Sequence, residues 1–107
     1  MASIGAMGDL LKQAQEMQSR MAKIQEELAN KTVQGSAGGG MVQVTINGQF
    51  NITAVQIEPS VINSSEKEML EDLVLAAVND GMRKARELAS TEMSKLTGGL
   101  KIPGLMP

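Results

Sequence analysis

The sequence predicts an α+β fold with the order α-β-β-β-α: an N-terminal helix, a three-stranded antiparallel sheet and a long C-terminal helix. Three observations predict it. Apolar residues recur in alternating steps of three and four from Met7 to Leu28, the spacing of a helical seam. Alternating β-branched residues flank Asn47-Gly48, a strong short-range hairpin signal. From Glu66 to Leu96 no Pro interrupts a stretch whose apolar residues recur at helical spacing.

The first helix is expected from Asp9 to Asn30. Its seam is Met7, Leu10, Ala14, Met17, Met21, Ile24 and Leu28, and Asp9 reads as its N-cap. The opposite face carries Lys12, Glu16, Arg20, Lys23, Glu26 and Glu27, with Glu16 and Arg20 spaced as an ion pair. At ~1.5 Å per residue the helix is about 33 Å long. A small sheet cannot cover that length, so part of the seam needs another helix.

A short strand is expected around Thr32-Val33-Gln34. The segment Gly35-Ser36-Ala37-Gly38-Gly39-Gly40 reads as a flexible connection. The next strand, Met41 to Asn47, places Val42, Val44 and Ile46 on one face. Asn47 and Gly48 tolerate positive φ and turn the chain. The return strand is Gln49 to Ile57. Phe50, Ile52 and Ala54 share one parity, whereas Val55 and Ile57 take the other, so a bulge is expected near Thr53–Val55.

Ser65-Glu66-Lys67-Glu68 fits a capping box with Ser65 as N-cap. The second helix then runs to about Leu96, where Gly98-Gly99 stops it. Its middle, Leu73 to Val78, is apolar on all sides, the pattern of a helix buried all round. Gly81 lets another backbone approach closely. Residues 1–97 are read as one domain and 98–107 as a flexible tail.

Composition narrows the function. The chain has 107 residues, 42% hydrophobic and 21% charged, with a net charge of -2. That suits one domain. With no Cys there are no disulfides or thiolate metal sites, and with no His the commonest general base is missing. Phe50 is the only aromatic residue, so the core must be aliphatic, with nine Met residues helping to fill it. The Gly-rich segment is followed by Met41-Val42, where a phosphate-binding loop needs Lys and Ser or Thr. Ser64-x-x-Lys67 stands without the companion motifs of its enzyme class. The chain is read as non-enzymatic, without cofactor, metal or small-molecule substrate. No apolar run approaches the roughly 20 residues of a membrane span, and no secretory signal is legible.

Charge is unevenly placed. From Glu66 to Asp80 there are five acids and one base, and from Gly81 to Lys101 five bases and two acids. This arrangement complements the helix dipole and also makes the distal half of the second helix basic. With Phe50 as the only aromatic, composition argues against binding single strands by base stacking. What remains for nucleic acid is phosphate contact by Lys and Arg on helices.

Several strings resemble the YbaB/EbfC family of bacterial nucleoid-associated proteins. They are Leu10-Leu11-Lys12-Gln13-Ala14-Gln15-Glu16-Met17-Gln18 with Met21 and Gln25-Glu26-Glu27-Leu28, then Gly35 and Gly38 through Val44-Thr45-Ile46-Asn47-Gly48, Ile57-Glu58-Pro59-Ser60, and Glu68-Met69-Leu70-Glu71-Asp72-Leu73-Val74 with Ala76-Ala77-Val78-Asn79-Asp80. The resemblance implies an α+β homodimer with protruding helical arms. It also implies binding of double-stranded DNA with little sequence preference, a role in nucleoid organisation or gene regulation, and a cytoplasmic, nucleoid location. It carries no catalytic residues. The candidate phosphate contacts are Lys12, Arg20 and Lys23 on the first helix and Arg83, Lys84, Arg86 and Lys95 on the second. The candidate dimer interface is Leu73, Val74, Ala77, Val78 and Gly81. The alternative reading is a protein-interaction adaptor whose protein partners dock on the Met-rich first helix.

Overall fold

The computed structural model describes residues 2–96, with side chains from residue 6 onward. The elements are α1 (Ala2–Asn30), β1 (Thr32–Ala37), β2 (Val42–Asn47), β3 (Ile52–Ile57) and α2 (Lys67–Leu96), with two 3₁₀ turns, Pro59–Val61 and Ser64–Glu66, before α2. The three strands form one antiparallel sheet in the order β1-β2-β3. The α-β-β-β-α architecture is therefore the one the sequence predicts. The tail 98–107 and the Gly98-Gly99 stop lie outside the described residues.

The core is one helix laid on two strands. Val42, Val44 and Ile46 of β2 are fully buried, as are Ala77 and Ala85 of α2. Alternation puts the β2 trio on one face, and Ala77, Gly81 and Ala85 follow at i, i+4 and i+8 on one face of α2. These small residues let the helix backbone settle on β1. A Cβ on Gly35 would lie 2.1 Å from the Ala77 carbonyl oxygen and 2.3 Å from the Gly81 nitrogen. Gly81 does admit a close backbone approach, but from β1 of its own chain. Ala77 and Gly81, expected at a dimer interface, are spent inside the subunit.

Four local expectations are corrected. First, α1 begins at Ala2, so Asp9 sits within the helix and caps nothing. Gly8 costs roughly 1 kcal/mol in a helix, and the strong helix formers around it, Ala6, Met7, Leu10 and Leu11, carry the helix through. Second, β1 continues through Gly35-Ser36-Ala37, because it pairs with Val44, Gln43 and Val42. The turn runs from Gly38 to Met41, with its three glycines at positive φ.

Third, the β2–β3 hairpin forms at Asn47-Gly48, but the positive φ falls on Phe50 (67°). The Asn47 side chain holds this wider loop, its Oδ1 accepting from the Gln49 and Asn51 N–H groups at 2.9 and 3.0 Å. Gly48 is needed for space, since an added Cβ would lie 2.8 Å from the Leu28 carbonyl oxygen. Its N–H donates to that same oxygen at 2.8 Å and to the Lys31 oxygen at 3.1 Å, so the hairpin loop caps the end of α1. Fourth, Ser65 does not cap α2. Asn63 caps the 3₁₀ turn before it, accepting from the Ser65 N–H at 3.1 Å.

The bulge lies where the parity switch predicted it. Thr45 pairs with Ala54 and Ile46 with Ile52, leaving Thr53 as the extra residue. Cross-strand partners share a face. Ile52, Val55 and Ile57, opposite Ile46, Val44 and Val42, therefore form one row on the side where α2 packs.

Candidate nucleic-acid interface

The molecule is 78 Å long and 25 by 16 Å across, and α1 accounts for much of that length. At ~1.5 Å per residue its 29 residues span about 43 Å. Every side chain from Ala6 to Lys23 is exposed, and Ile24 is the first buried residue of the helix. The arm is pinned at its root. The buried Glu92 carboxylate accepts from Lys31, just past α1, and from Lys95 at 3.2 Å. Those two ammonium groups hold the Glu92 carboxyl below its usual range, the Lys31 hydrogen bond contributing most. No helix among the described residues is long and apolar enough to cross a membrane.

Three of the four cations expected on α2 are occupied. Arg83 bridges Asp80 at 3.0 Å and Glu87 at 2.9 Å. Lys84 reaches Asp80 at 3.2 Å and donates to the Gln34 carbonyl oxygen at 2.9 Å. Lys95 serves Glu92. Lys12, Arg20 and Lys23 on α1 and Arg86 on α2 are exposed and hold no ion pair among the described residues. Glu16 and Arg20, spaced as a pair, make no salt bridge there. The basic half of α2 is thus largely neutralised in place, and cations available to an outside anion concentrate on the arm.

Asp80 is the residue that sequence reasoning missed. Its spacing to Arg83 and Lys84 was legible as helical ion pairing, but its contact with the sheet was not. Its Oδ2 accepts from the Ser36 N–H at 3.0 Å. That bond, then Lys84 and Arg83, lowers its pKa from 3.8 to about 2. Asp80 and Lys84 thereby occupy one N–H and one carbonyl on the outer edge of β1, those of Ser36 and Gln34. Because the folded pKa is depressed, Asp80 contributes stability above pH 3.8 that is lost as pH falls through about 2. Asp80→Asn should flatten this acid limb, measured as denaturant midpoints between pH 5 and 2. An unchanged limb would show that the Asp80 charge adds nothing to stability.

The opposite flank of α2 is apolar. At about 100° per residue, Leu75, Val78 and Met82 lie across the helix from Asp80 and Lys84, on the β3 side. Leu75 is 61% exposed, Val55 52% and Ile52 46%. The middle of α2, expected to be buried all round, is therefore open on this flank within a single chain. It borders the Ile52–Val55–Ile57 row, which is exposed at Ile52 and Val55 and half-buried at Ile57. Leu73, Val74 and Val78 are half-buried against the core of their own chain.

The YbaB/EbfC DNA-binding family model matches residues 4–100. A nucleoid-associated protein of Desulfotalea psychrophila is 57% identical over 96 residues, covering 90% of this chain and 91% of its own. One from Pelotomaculum thermopropionicum is 48% identical over 101 residues, covering 94% and 96%. Among solved structures, an uncharacterised protein from Helicobacter pylori superposes with a TM-score of 0.72 at 26% identity, covering 86% of this chain and 94% of that one.

Proposed function

Because this chain belongs to the YbaB/EbfC DNA-binding family, we propose that it acts as a homodimer on duplex DNA. It grips phosphates with little sequence preference, and so organises the nucleoid or regulates genes. The family is a DNA-binding one and not an enzyme family. The observation that carries the proposal is the set of exposed cations Lys12, Arg20, Lys23 and Arg86, which hold no ion pair among the described residues. Three of them stand on an arm that projects from the body. Phosphates are the anions such side chains meet along a duplex, and contacts of this kind carry no base information. Arg83, Lys84 and Lys95 are secondary contacts, since each would first have to leave an internal partner.

The dimer doubles the cation set. It is proposed to form where the open Ile52–Val55–Ile57 row meets the Leu75, Val78 and Met82 flank of α2. Val74 lies at its margin, whereas Leu73 falls on the Asp80 side of α2, beside Gly38 and away from this face. Asp80 and Lys84 occupy part of the β1 edge, which favours the β3 side as the one facing a second copy.

Binding of unrelated random duplexes, measured by fluorescence anisotropy at two salt concentrations, tests the function. Equal affinities across sequences, collapsing together as salt rises, are expected. Affinity that discriminates strongly between sequences, or that ignores salt, contradicts it.

A further inference from the structure

We propose that the arm is itself a self-association surface: the Met7, Leu10, Ala14, Met17 and Met21 stripe of one α1 packs seam to seam against the same stripe of a second copy. This contact is separate from the β3 face and does not depend on DNA.

Four observations support a second copy as the occupant. First, the open stripe continues in register into Ile24 and Leu28, which are buried at 7% and 4% exposure. One straight face is core at its root and bare beyond it, with Met7 and Leu10 each 63% exposed, Met17 44% and Met21 42%. Second, its steps alternate strictly between three and four, the spacing that keeps an apolar line facing another helix. Third, the flanks of the stripe are nearly uncharged. Leu11, Gln18 and Gln25 border one side, and Ala6, Gln13 and Arg20 the other. Asp9, Lys12, Glu16, Lys23 and Glu26 lie on the far side of the helix, as the heptad spacing requires. Two identical helices can therefore meet without a row of like charges between them, the usual penalty on homotypic pairing. Fourth, Ala14 sits midway along the stripe, where a small side chain lets the facing helix come close.

The open stripe covers only about two heptads, fewer than the three to four that a stable coiled coil needs. Each arm contact is accordingly weak. It forms in free protein at high concentration, and its occupancy rises further where copies are held close together, as on one stretch of duplex. Lys12 and Lys23 remain on the outer side of the pair, so an arm can hold a second copy and a phosphate at once.

The chain has no Cys, so Ala14→Cys supplies a single thiol at the centre of the stripe. With a short bismaleimide across a protein concentration series, this variant should give covalent pairs that increase with concentration. Ser19→Cys, on the far side, should give several-fold fewer. Adding Leu10→Gln and Met17→Gln to Ala14→Cys should abolish linkage, with helical circular dichroism and affinity for a duplex too short to hold two particles retained. The proposal is overturned if Ala14→Cys links no better than Ser19→Cys, or if linkage survives the glutamines. Either result leaves the β3-face dimer, read by sedimentation, and the duplex titration untouched.

Discussion

Gly35→Ala is expected to destabilise the protein severely. The added methyl would fall 2.1 Å from the Ala77 carbonyl oxygen, 2.3 Å from the Gly81 nitrogen and 2.6 Å from its Cα. All three are backbone atoms of α2, so no side-chain rotation relieves the overlap. Either α2 lifts off β1 or β1 shifts in register, and both uncover Val42, Val44 and Ile46. Overpacking in a core costs about 1–3 kcal/mol where side chains can yield. Here the cost should exceed that range, a large fraction of the roughly 5–15 kcal/mol that holds a domain together. Gly81→Ala should be milder, because its nearest neighbour is the end of the Ile46 side chain at 2.7 Å. Gly39→Ala meets nothing within 4 Å and should cost only the left-handed backbone penalty, about 1–2 kcal/mol. Urea midpoints should fall in the order Gly39→Ala, Gly81→Ala, Gly35→Ala. A folded Gly35→Ala protein near wild-type stability would refute the helix-on-strand contact.

Val55→Asp is expected to give folded monomers. Val55 lies on the α2 side of the sheet opposite Val44, yet it is half exposed in the single chain. A carboxylate there is solvated in the monomer and costs the subunit little. In the proposed dimer it would be trapped in an apolar contact. A penalty of about 4 kcal/mol, within the range for a buried unpaired charge, weakens association roughly a thousandfold. Sedimentation should shift from twice the chain mass of 11.3 kDa to that mass alone, with the unfolding midpoint of the isolated subunit retained. DNA affinity should fall with it, since each particle then carries half the cations. A Val55→Asp dimer would move the interface elsewhere.

Which of these features could be read beforehand follows from the range of the physics involved. Alternation in β2, the parity switch at Thr53 and the heptad stripe are local patterns, and each is realised as read. Asn47-Gly48 marked the turn correctly, but its loop type depended on Leu28 pressing against Gly48, a contact twenty residues away in sequence. Gly81 signalled close backbone approach. Spacing alone could not say whether the approaching chain was β1 or another subunit, and so Ala77 and Gly81 were assigned outward. The start of α1 was misplaced because Asp9 has the chemistry of a cap, while the helix formers on both sides of Gly8 outweigh it. The candidate cations were legible as a list. Their ranking was not, because Asp80 and Glu92 neutralise Arg83, Lys84 and Lys95 through folding contacts with β1 and Lys31.

The salt dependence of affinity for a random duplex, compared between wild type and a Lys12→Gln, Lys23→Gln variant, bears most directly on phosphate gripping by a paired molecule. Each lost phosphate contact lowers the slope of log affinity against log salt by about 0.9. Two lysines on each of two arms should lower it by about 3.6. An unchanged slope would contradict the account.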